Sequence, residues 1–355
     1  MSVDDIKEAI LNPPPEVKFK PNQYLSSGSV LLNLALTDHR QSAFRPGSYY
    51  FFVGDSSSGK TFFTQTCFAE ACRNPFFDKY DLVYYNIENG ALMDRARFFG
   101  ATAAARVKDV EGIALDNRVE NFYYHLHDQL KRPTIAVVDS MDAFSSEYEQ
   151  GKFKSKKKAS EDGTKAAGDY GDGKAGINSR NVRSMLNGLW NTNSILILIG
   201  QTRDNIGGGM FDPPKVFAGG HALKFYASGQ IWSTCGATIT RDYKDHKIEL
   251  GITSKLSIKK NRHTGKRRSV TVPIYHSFGI DDIGSCVDYL IDWKRWEKKS
   301  GGVIKAEQLG LELRRDALIS AIEKQGLEVD LHDVVEETWR TIEGACEMKR
   351  KPRYE

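Results

Sequence analysis

The chain lacks most of what would mark a protein for a membrane or for export. Its longest apolar stretches, such as Ser194 to Ile199, fall far short of the about 20 residues a spanning helix needs. The N-terminus, Met1-Ser2-Val3-Asp4-Asp5, is acidic and has neither the basic start nor the apolar core of a secretion signal. Cysteine is sparse: Cys67, Cys72, Cys235, Cys286 and Cys346 are scattered, with no paired metal-ligand spacing. That pattern excludes a disulfide scaffold and reads as reduced thiols in a cytosolic compartment. Internal repeats are absent. So is a large charge imbalance, the formal net charge being only +4.

What is present is a chain of 355 residues with ordinary apolar, aromatic and charged fractions, enough for one large α/β core with smaller appendages. Its most informative stretch is Gly54-Asp55-Ser56-Ser57-Ser58-Gly59-Lys60-Thr61. An apolar run, Tyr49 to Val53, precedes it, and a segment of helical character, 62–71, follows. Strand, small-residue loop and helix together are the context of a phosphate-binding P-loop. Glycines and serines let successive backbone N–H groups turn inward around an anion, and the positive end of the next helix faces the same point. Lys60 would reach the β- and γ-phosphates, and the Thr61 hydroxyl would enter a Mg²⁺ shell.

Apolar runs at 49–53, 82–87, 134–138, 194–199 and 230–234 alternate with helical segments. Strands this apolar suit a mostly parallel sheet covered by helices on both faces. Two further runs, 246–259 and 269–275, flank a turn at 261–266 and read as an added β-hairpin. Residues 1–25, with Pro13-Pro14-Pro15, read as an arm, and 26–300 as the core. Residues 301–355 read as a small helical C-terminal domain with a basic tail. Residues 149–176 hold lysine, glycine and aspartate but almost no large apolar side chain, which predicts a long mobile loop. A second one is expected over 202–219.

Asp139 ends the run at 134–138, where a carboxylate can hold a magnesium shell; capping the next helix is the alternative. Glu88 ends the run at 82–87, where it can polarise a water for in-line attack or simply begin a helix. Gln201 follows the fourth run, and an amide there can touch a γ-phosphate and relay its loss into the loop behind. Between Lys255 and Ile280 stand Lys255, Lys259, Lys260, Arg262, Lys266, Arg267 and Arg268 with no acidic residue. Such clusters are often solvated faces; on a P-loop protein they also suit nucleic acid.

The run Gly219-Gly220-His221-Ala222-Leu223-Lys224-Phe225-Tyr226-Ala227-Ser228 resembles the RecA recombinase family. So do Ser27-Gly28-Ser29 with Leu34-Ala35-Leu36, Gly171-Asp172-Gly173 before a helix, and the order of the motifs. The likeness covers about residues 26–280 and is nearer to phage-encoded relatives such as the UvsX group than to a bacterial housekeeping member. It implies a RecA-like P-loop core, ATP and Mg²⁺ as ligands, and DNA-dependent ATP hydrolysis in a bacterial host's cytoplasm. It further implies homologous pairing by a filament on single-stranded DNA, which then meets duplex DNA, with single-strand-binding or loading proteins as partners.

By position, the likeness makes Glu88 the catalytic glutamate, Gln201 the γ-phosphate sensor and Lys60 the P-loop lysine. Lys260 and Arg262 match cations that reach a neighbouring subunit's phosphate, with Lys224 and Phe225 at the same interface. The two loops would carry DNA contacts: Lys174 and Arg180 by the first, and Arg203, Asn205, Gly207, Gly208, Met210 and Phe211 in the second. The family's adenine-flanking aspartate and aromatic residue align here with Leu92 and Arg95, so Arg95 is a candidate for stacking on the base. A hexameric DnaB-type motor or recombination mediator, and a regulatory ATPase without DNA, stay open as alternatives.

Overall fold

The computed structural model describes residues 18–90, 92–162, 174–204, 215–217, 221–351 and 353. Its centre is a ten-stranded sheet. Five parallel neighbours are β1 (Ser48–Gly54), β2 (Asp81–Asn86), β3 (Val107–Glu111), β4 (Thr134–Asp139) and β5 (Ile195–Asp204). They are joined by β6 (Lys215–Phe217), β7 (Gly229–Tyr243), β8 (His246–Asn261), β9 (Ser269–Tyr275) and β10 (Gly279–Ile280). The order is β10-β9-β8-β7-β1-β5-β4-β2-β3, with β6 on the far end of β5. From β7 to β3 the strands run parallel; β7 to β10 form an antiparallel meander, and β6 pairs antiparallel with β5.

The period of two along each strand divides the interior into two cores. Tyr50, Phe52, Tyr84, Ile135, Val137, Ile195, Ile197 and Ile199 face one of them. Tyr49, Phe51, Val53, Val83, Tyr85, Ala136, Val138, Leu196 and Leu198 face the other. Both sides of these strands are buried, which is why the sequence reads as continuous apolar runs rather than as alternation. Helices α1 (Val30–Thr37) and α2 (Lys60–Arg73) cover the first face. The short helices α3 (Arg95–Phe99) and α4 (Ala101–Arg106) link β2 to β3. On the second face lie α5 (Val119–Gln129), α7 (Lys174–Thr192) and α8 (His221–Tyr226), with α6 (Glu147–Glu161) projecting between β4 and α7.

The structure corrects several expectations. Residues 149–176 are not one long loop: α6 occupies their first half and α7 starts at Lys174, while 163–173 lie outside the described residues. Ser146 caps α6 by accepting from the Glu149 amide at 3.2 Å; Glu147 and Glu149 sit in its first turn and Lys158 in its last. Capping and dipole complementarity sustain a helix that buries no residue, a signal invisible to apolar periodicity.

The run at 230–234 extends to Tyr243. With β8 it makes a ribbon whose outer part, from Cys235 to Glu249, is exposed apart from half-buried Ile239. The expected hairpin of β8 with β9 is present, its turn held by Asn261 Oδ1, which accepts from the His263 amide at 2.9 Å. β3, a half-exposed edge strand, had no apolar run to announce it.

The C-terminal region is not purely helical. A three-stranded sheet, β11 (Glu297–Lys298), β12 (Val303–Ala306) and β13 (Leu311–Arg314), precedes α10 (Arg315–Gln325) and α11 (Glu328–Cys346) and follows α9 (Asp282–Asp292). Its buried residues Ile304, Leu318, Leu331 and Trp339 belong to the same core as Phe63 and Leu256. The N-terminal side also reaches further in than an arm would: Leu25 is fully buried and bridges Phe44. Among the described residues, no helix is long and apolar enough to cross a membrane.

Candidate functional site

Gly54, Gln201 and Asp139 stand on adjacent strands at one edge of the sheet, and Glu88 follows the end of the next strand. Gly54 of β1 pairs with Gln201 of β5, and Asn86 of β2 pairs with Asp139 of β4. Strand carboxyl ends are where ligands bind in open α/β sheets. The P-loop turns there from β1 into α2. A Cβ on Gly54 would lie 2.3 Å from the Ser233 carbonyl oxygen of neighbouring β7, so only glycine fits. Gly59 has φ +89°, a left-handed conformation that sets the first turn of α2 toward the loop. Ser58 fixes the loop by donating to the Asp55 carbonyl at 2.7 Å and pairing with Ser233 Oγ at 2.7 Å. Ser56 and Ser57 are exposed at its crown.

Lys60 is buried, and its ammonium donates to the carbonyls of Gly54 and Asp55 at 3.0 and 2.5 Å. Burial lowers its pKa, opposed by the charges of Asp139, Glu88 and Asp55. The Thr61 hydroxyl donates to Asp139 Oδ2 at 2.6 Å, and Tyr84 donates to the same oxygen at 2.9 Å. Burial raises the Asp139 pKa while those two hydrogen bonds work against it. A buried carboxylate oriented by two donors, with the Thr61 hydroxyl beside it, offers the oxygen ligands a hard cation takes. Glu88 accepts from the Gln201 side-chain amide at 2.8 Å and from the Ser140 hydroxyl. The Gln201 backbone amide donates to Asp142 Oδ2 at 2.7 Å.

These groups enclose a cavity of about 180 Å³ lined by Ser56, Lys60, Asn86, Glu88, Asp139 and Gln201, with other P-loop atoms. It is small against a site for a whole drug-sized ligand and suits the phosphate end of a nucleotide. The Asn86 Oδ1 atom is buried without a hydrogen-bond partner, an acceptor whose need a hydrated cation beside Asp139 and Thr61 would meet. The residues present therefore fit a magnesium–phosphate group. Tyr84, Asn86 and Asp142 escaped the sequence reading. Asn86 carried a signal, being the polar residue of an otherwise apolar run two positions before Glu88.

The sequence model of the RecA N-terminal domain matches residues 157–281. Protein RecA of Corynebacterium jeikeium (strain K411) is 29% identical over 302 residues, covering 82% of this chain and 70% of that protein. Protein RecA of Bacteroides thetaiotaomicron is 28% identical over 273 residues, 75% of this chain and 72% of its own length. Over most of its length the chain is thus similar to the RecA family. Its P-loop, Asp139 and Gln201 fall on one RecA-like sheet, in the strand order β1-β5-β4-β2.

In this chain the P-loop is tied to the second loop. Asp55 accepts from Thr202 at 2.5 Å and from Lys215 at 2.7 Å, one residue on each side of 205–214. Burial would raise the Asp55 pKa, yet the two partners outweigh it and hold the carboxyl below its ordinary value. Arg203 is mostly exposed, 3.9 Å from Asp142. Asn205, Gly207, Gly208, Met210 and Phe211 lie outside the described residues, as do Gly171-Asp172-Gly173 and Gly219-Gly220. Arg180 is exposed on α7. Lys174 is instead engaged within the protein, donating to the Phe144 carbonyl at 2.7 Å with Glu149 at 3.8 Å.

Arg95 does not line the phosphate cavity. Its guanidinium grips Asp109 through two hydrogen bonds of 3.0 and 2.7 Å, donates to Gln65, and lies over the Tyr84 ring. Arg95 thus braces α3, β3 and β2, and Leu92 is exposed. The four interface candidates do gather in one place. Lys260 donates to the carbonyls of Lys224 and Phe225, Arg262 donates to the Phe225 carbonyl at 3.0 Å, and the Phe225 ring is largely exposed. Burial lowers the pKa values of Lys224 and Lys260, with Arg262 adding to the effect at Lys260.

Proposed function

We propose that the chain is an ATP-dependent recombinase that polymerises on single-stranded DNA and promotes homologous pairing and strand exchange. The observation that carries this reading is the 2.8 Å hydrogen bond from Gln201 to Glu88. Gln201 lies on β5, which runs directly toward 205–214, so the residue placed to activate water is one bond from the strand entering the second loop. In this reading Lys60 leaves the Gly54 and Asp55 carbonyls for the β- and γ-phosphates, while Thr61 and Asp139 hold the metal. When bound, magnesium supplies charge neutralisation between the phosphate oxygens. Glu88 orients the attacking water and takes its proton, and Gln201 leaves Glu88 for the γ-phosphate. Strand β5 then carries that change to the DNA loop.

The second half of the site comes from a neighbour. Lys260 pairs with Gln230 and Gln230 with Phe51, three residues short of Gly54. At about 3.3 Å per residue and 4.8 Å per strand, Lys260 sits about 10 Å back and two strands across from its own P-loop. A head-to-tail neighbour is the natural recipient of such a displaced cation pair, and head-to-tail contacts build helices or rings. DNA contact through Arg180, Arg203 and the lysines of α6 should be strongly salt-dependent, with a log–log slope of about −0.7 per single-strand phosphate neutralised. A phage origin and a place in a bacterial cytoplasm belong to the same reading.

Electron microscopy of the chain on single-stranded DNA with a non-hydrolysable ATP analogue tests the proposal. Continuous helical filaments are expected. Closed rings would sink it in favour of a helicase-type motor. ATP turnover indifferent to single-stranded DNA at low salt would point to a regulatory ATPase.

A further inference from the structure

Away from the phosphate site, α1, α2, α9 and α11 surround a cavity of about 890 Å³, whose lining includes Val30, Glu70, Asp282, Glu328 and His332. At its wall Asp282 and His332 converge with Cys286 buried behind them, three donors of different chemistry. Asp282 and Cys286 lie one turn apart on α9, so they share a face, and His332 projects from α11 opposite them. One ligand atom of each lies within 4.8 Å of the other two. The Cys286 thiol is fully buried. His332 Nε2 is only 3.2 Å from Asp282 Oδ2, yet it is sealed from solvent and makes no hydrogen bond. The other Asp282 oxygen is already oriented, accepting from the Val30 amide at the start of α1 at 2.7 Å.

We infer that Asp282, Cys286 and His332 form a site for a zinc-class cation that pins α11 to α9. A buried nitrogen beside a carboxylate, close but out of hydrogen-bond alignment, is what a shared cation would leave between them. Thiolate, imidazole and carboxylate together select zinc over magnesium or calcium, which take oxygen ligands. Metal bonds of about 2.0–2.3 Å in a tetrahedron put ligand atoms about 3.3–3.7 Å apart. The nitrogen–oxygen pair already meets this, and the sulfur needs to close by at most about 1 Å. The fourth position opens on the cavity, where a water completes the shell. The Val30 amide holds Asp282 from behind, as outer-shell partners commonly hold metal ligands. The site is independent of nucleotide and DNA, and its consequence is a C-terminal helix clamped to the core.

The test is cobalt titration of the full chain after chelator treatment under reducing conditions. One cobalt per chain should bind, giving a thiolate-to-cobalt charge-transfer band and tetrahedral d–d bands that zinc displaces, and zinc should raise the thermal midpoint. Cys286→Ser should abolish the charge-transfer band and His332→Gln should weaken binding. Cys67→Ser, at a buried thiol of α2, should leave the spectrum unchanged. Absence of the band in the unaltered chain, or its survival in Cys286→Ser, overturns the inference. If Cys286→Ser does not fold, X-ray absorption on the zinc-loaded unaltered chain decides: one sulfur with imidazole nitrogen supports the site, and a shell of oxygen alone refutes it.

Discussion

Glu88 and Asp55 make opposite demands on a mutation experiment. Glu88 is exposed and held by Gln201 and Ser140, so Glu88→Gln keeps the shape and removes the proposed base. Turnover should fall about 10²–10⁴-fold with nucleotide-dependent DNA binding retained; normal turnover in that variant would end the assignment. Lys60→Ala should instead lose ATP-dependent DNA binding, because the buried ammonium is the cation lining the phosphate cavity. Asp55 is a structural tie between the P-loop and residues 202 and 215. Lys215→Met should reduce the stimulation of ATPase by single-stranded DNA and alter ATP affinity little; an equal loss of both would make Asp55 a simple loop brace. At this scale the sequence was most legible where chemistry leaves a fixed spacing, as at Lys60, Thr61 and Asp139. Tyr84 was not legible, because it reaches the site through strand register, which only the folded sheet reveals. The Arg95–Asp109 contact was hidden for a related reason: Asp109 lies on an edge strand with no apolar signature.

Elements were legible in proportion to how much apolar surface they bury. The strands around the P-loop are buried on both faces, and their runs stand out in the sequence. Helix α6 buries nothing and is written in capping and charge order instead. The outer ribbon of β7 and β8 carries no core face, so its length was hidden. The C-terminal helices were legible, but their docking was not, since it depends on polar contacts distant in sequence. Glu343 of α11 accepts from Arg268 and lies 2.9 Å from Lys266, which also pairs with Asp38. The Arg268 hydrogen bonds, against partial burial, hold the Glu343 carboxyl down from an ordinary 4.5 to about 2. A lowered value stabilises the fold fully above about pH 4.5, and that contribution fades as pH falls toward 2. Allowing for solvent screening, Glu343→Gln should cost about 1–2 kcal/mol at neutral pH. Urea midpoints measured from pH 6 down to pH 3 should show the variant and the parent converging. A constant gap across that range would assign the loss to packing rather than charge.

The whole molecule has its phosphate cavity on one side of the β1–β7 seam and its displaced cations on the other, an arrangement suited to a site divided between subunits. Lys260 and Arg262 spend their donors on the carbonyls that end α8, and the exposed Phe225 ring lies beside them. A neighbour's triphosphate would compete with those carbonyls, so nucleotide binding and assembly would draw on the same cations. Two variants, each inactive alone, separate a shared site from a self-contained one. Lys60→Ala loses the P-loop cation but keeps Lys260 and Arg262; the double variant Lys260→Ala, Arg262→Ala keeps the P-loop. In a head-to-tail polymer mixed at equal amounts, about one interface in four joins an intact P-loop to an intact cation pair. Turnover on single-stranded DNA should therefore recover above that of either variant alone, to at most about a quarter of the unaltered level. If each subunit used its own cations, no pairing of the two variants would restore a site, and mixing would leave turnover at zero. Partial recovery also distinguishes a divided site from mere misfolding of the α8 region, because a misfolded protomer would donate nothing to its neighbour.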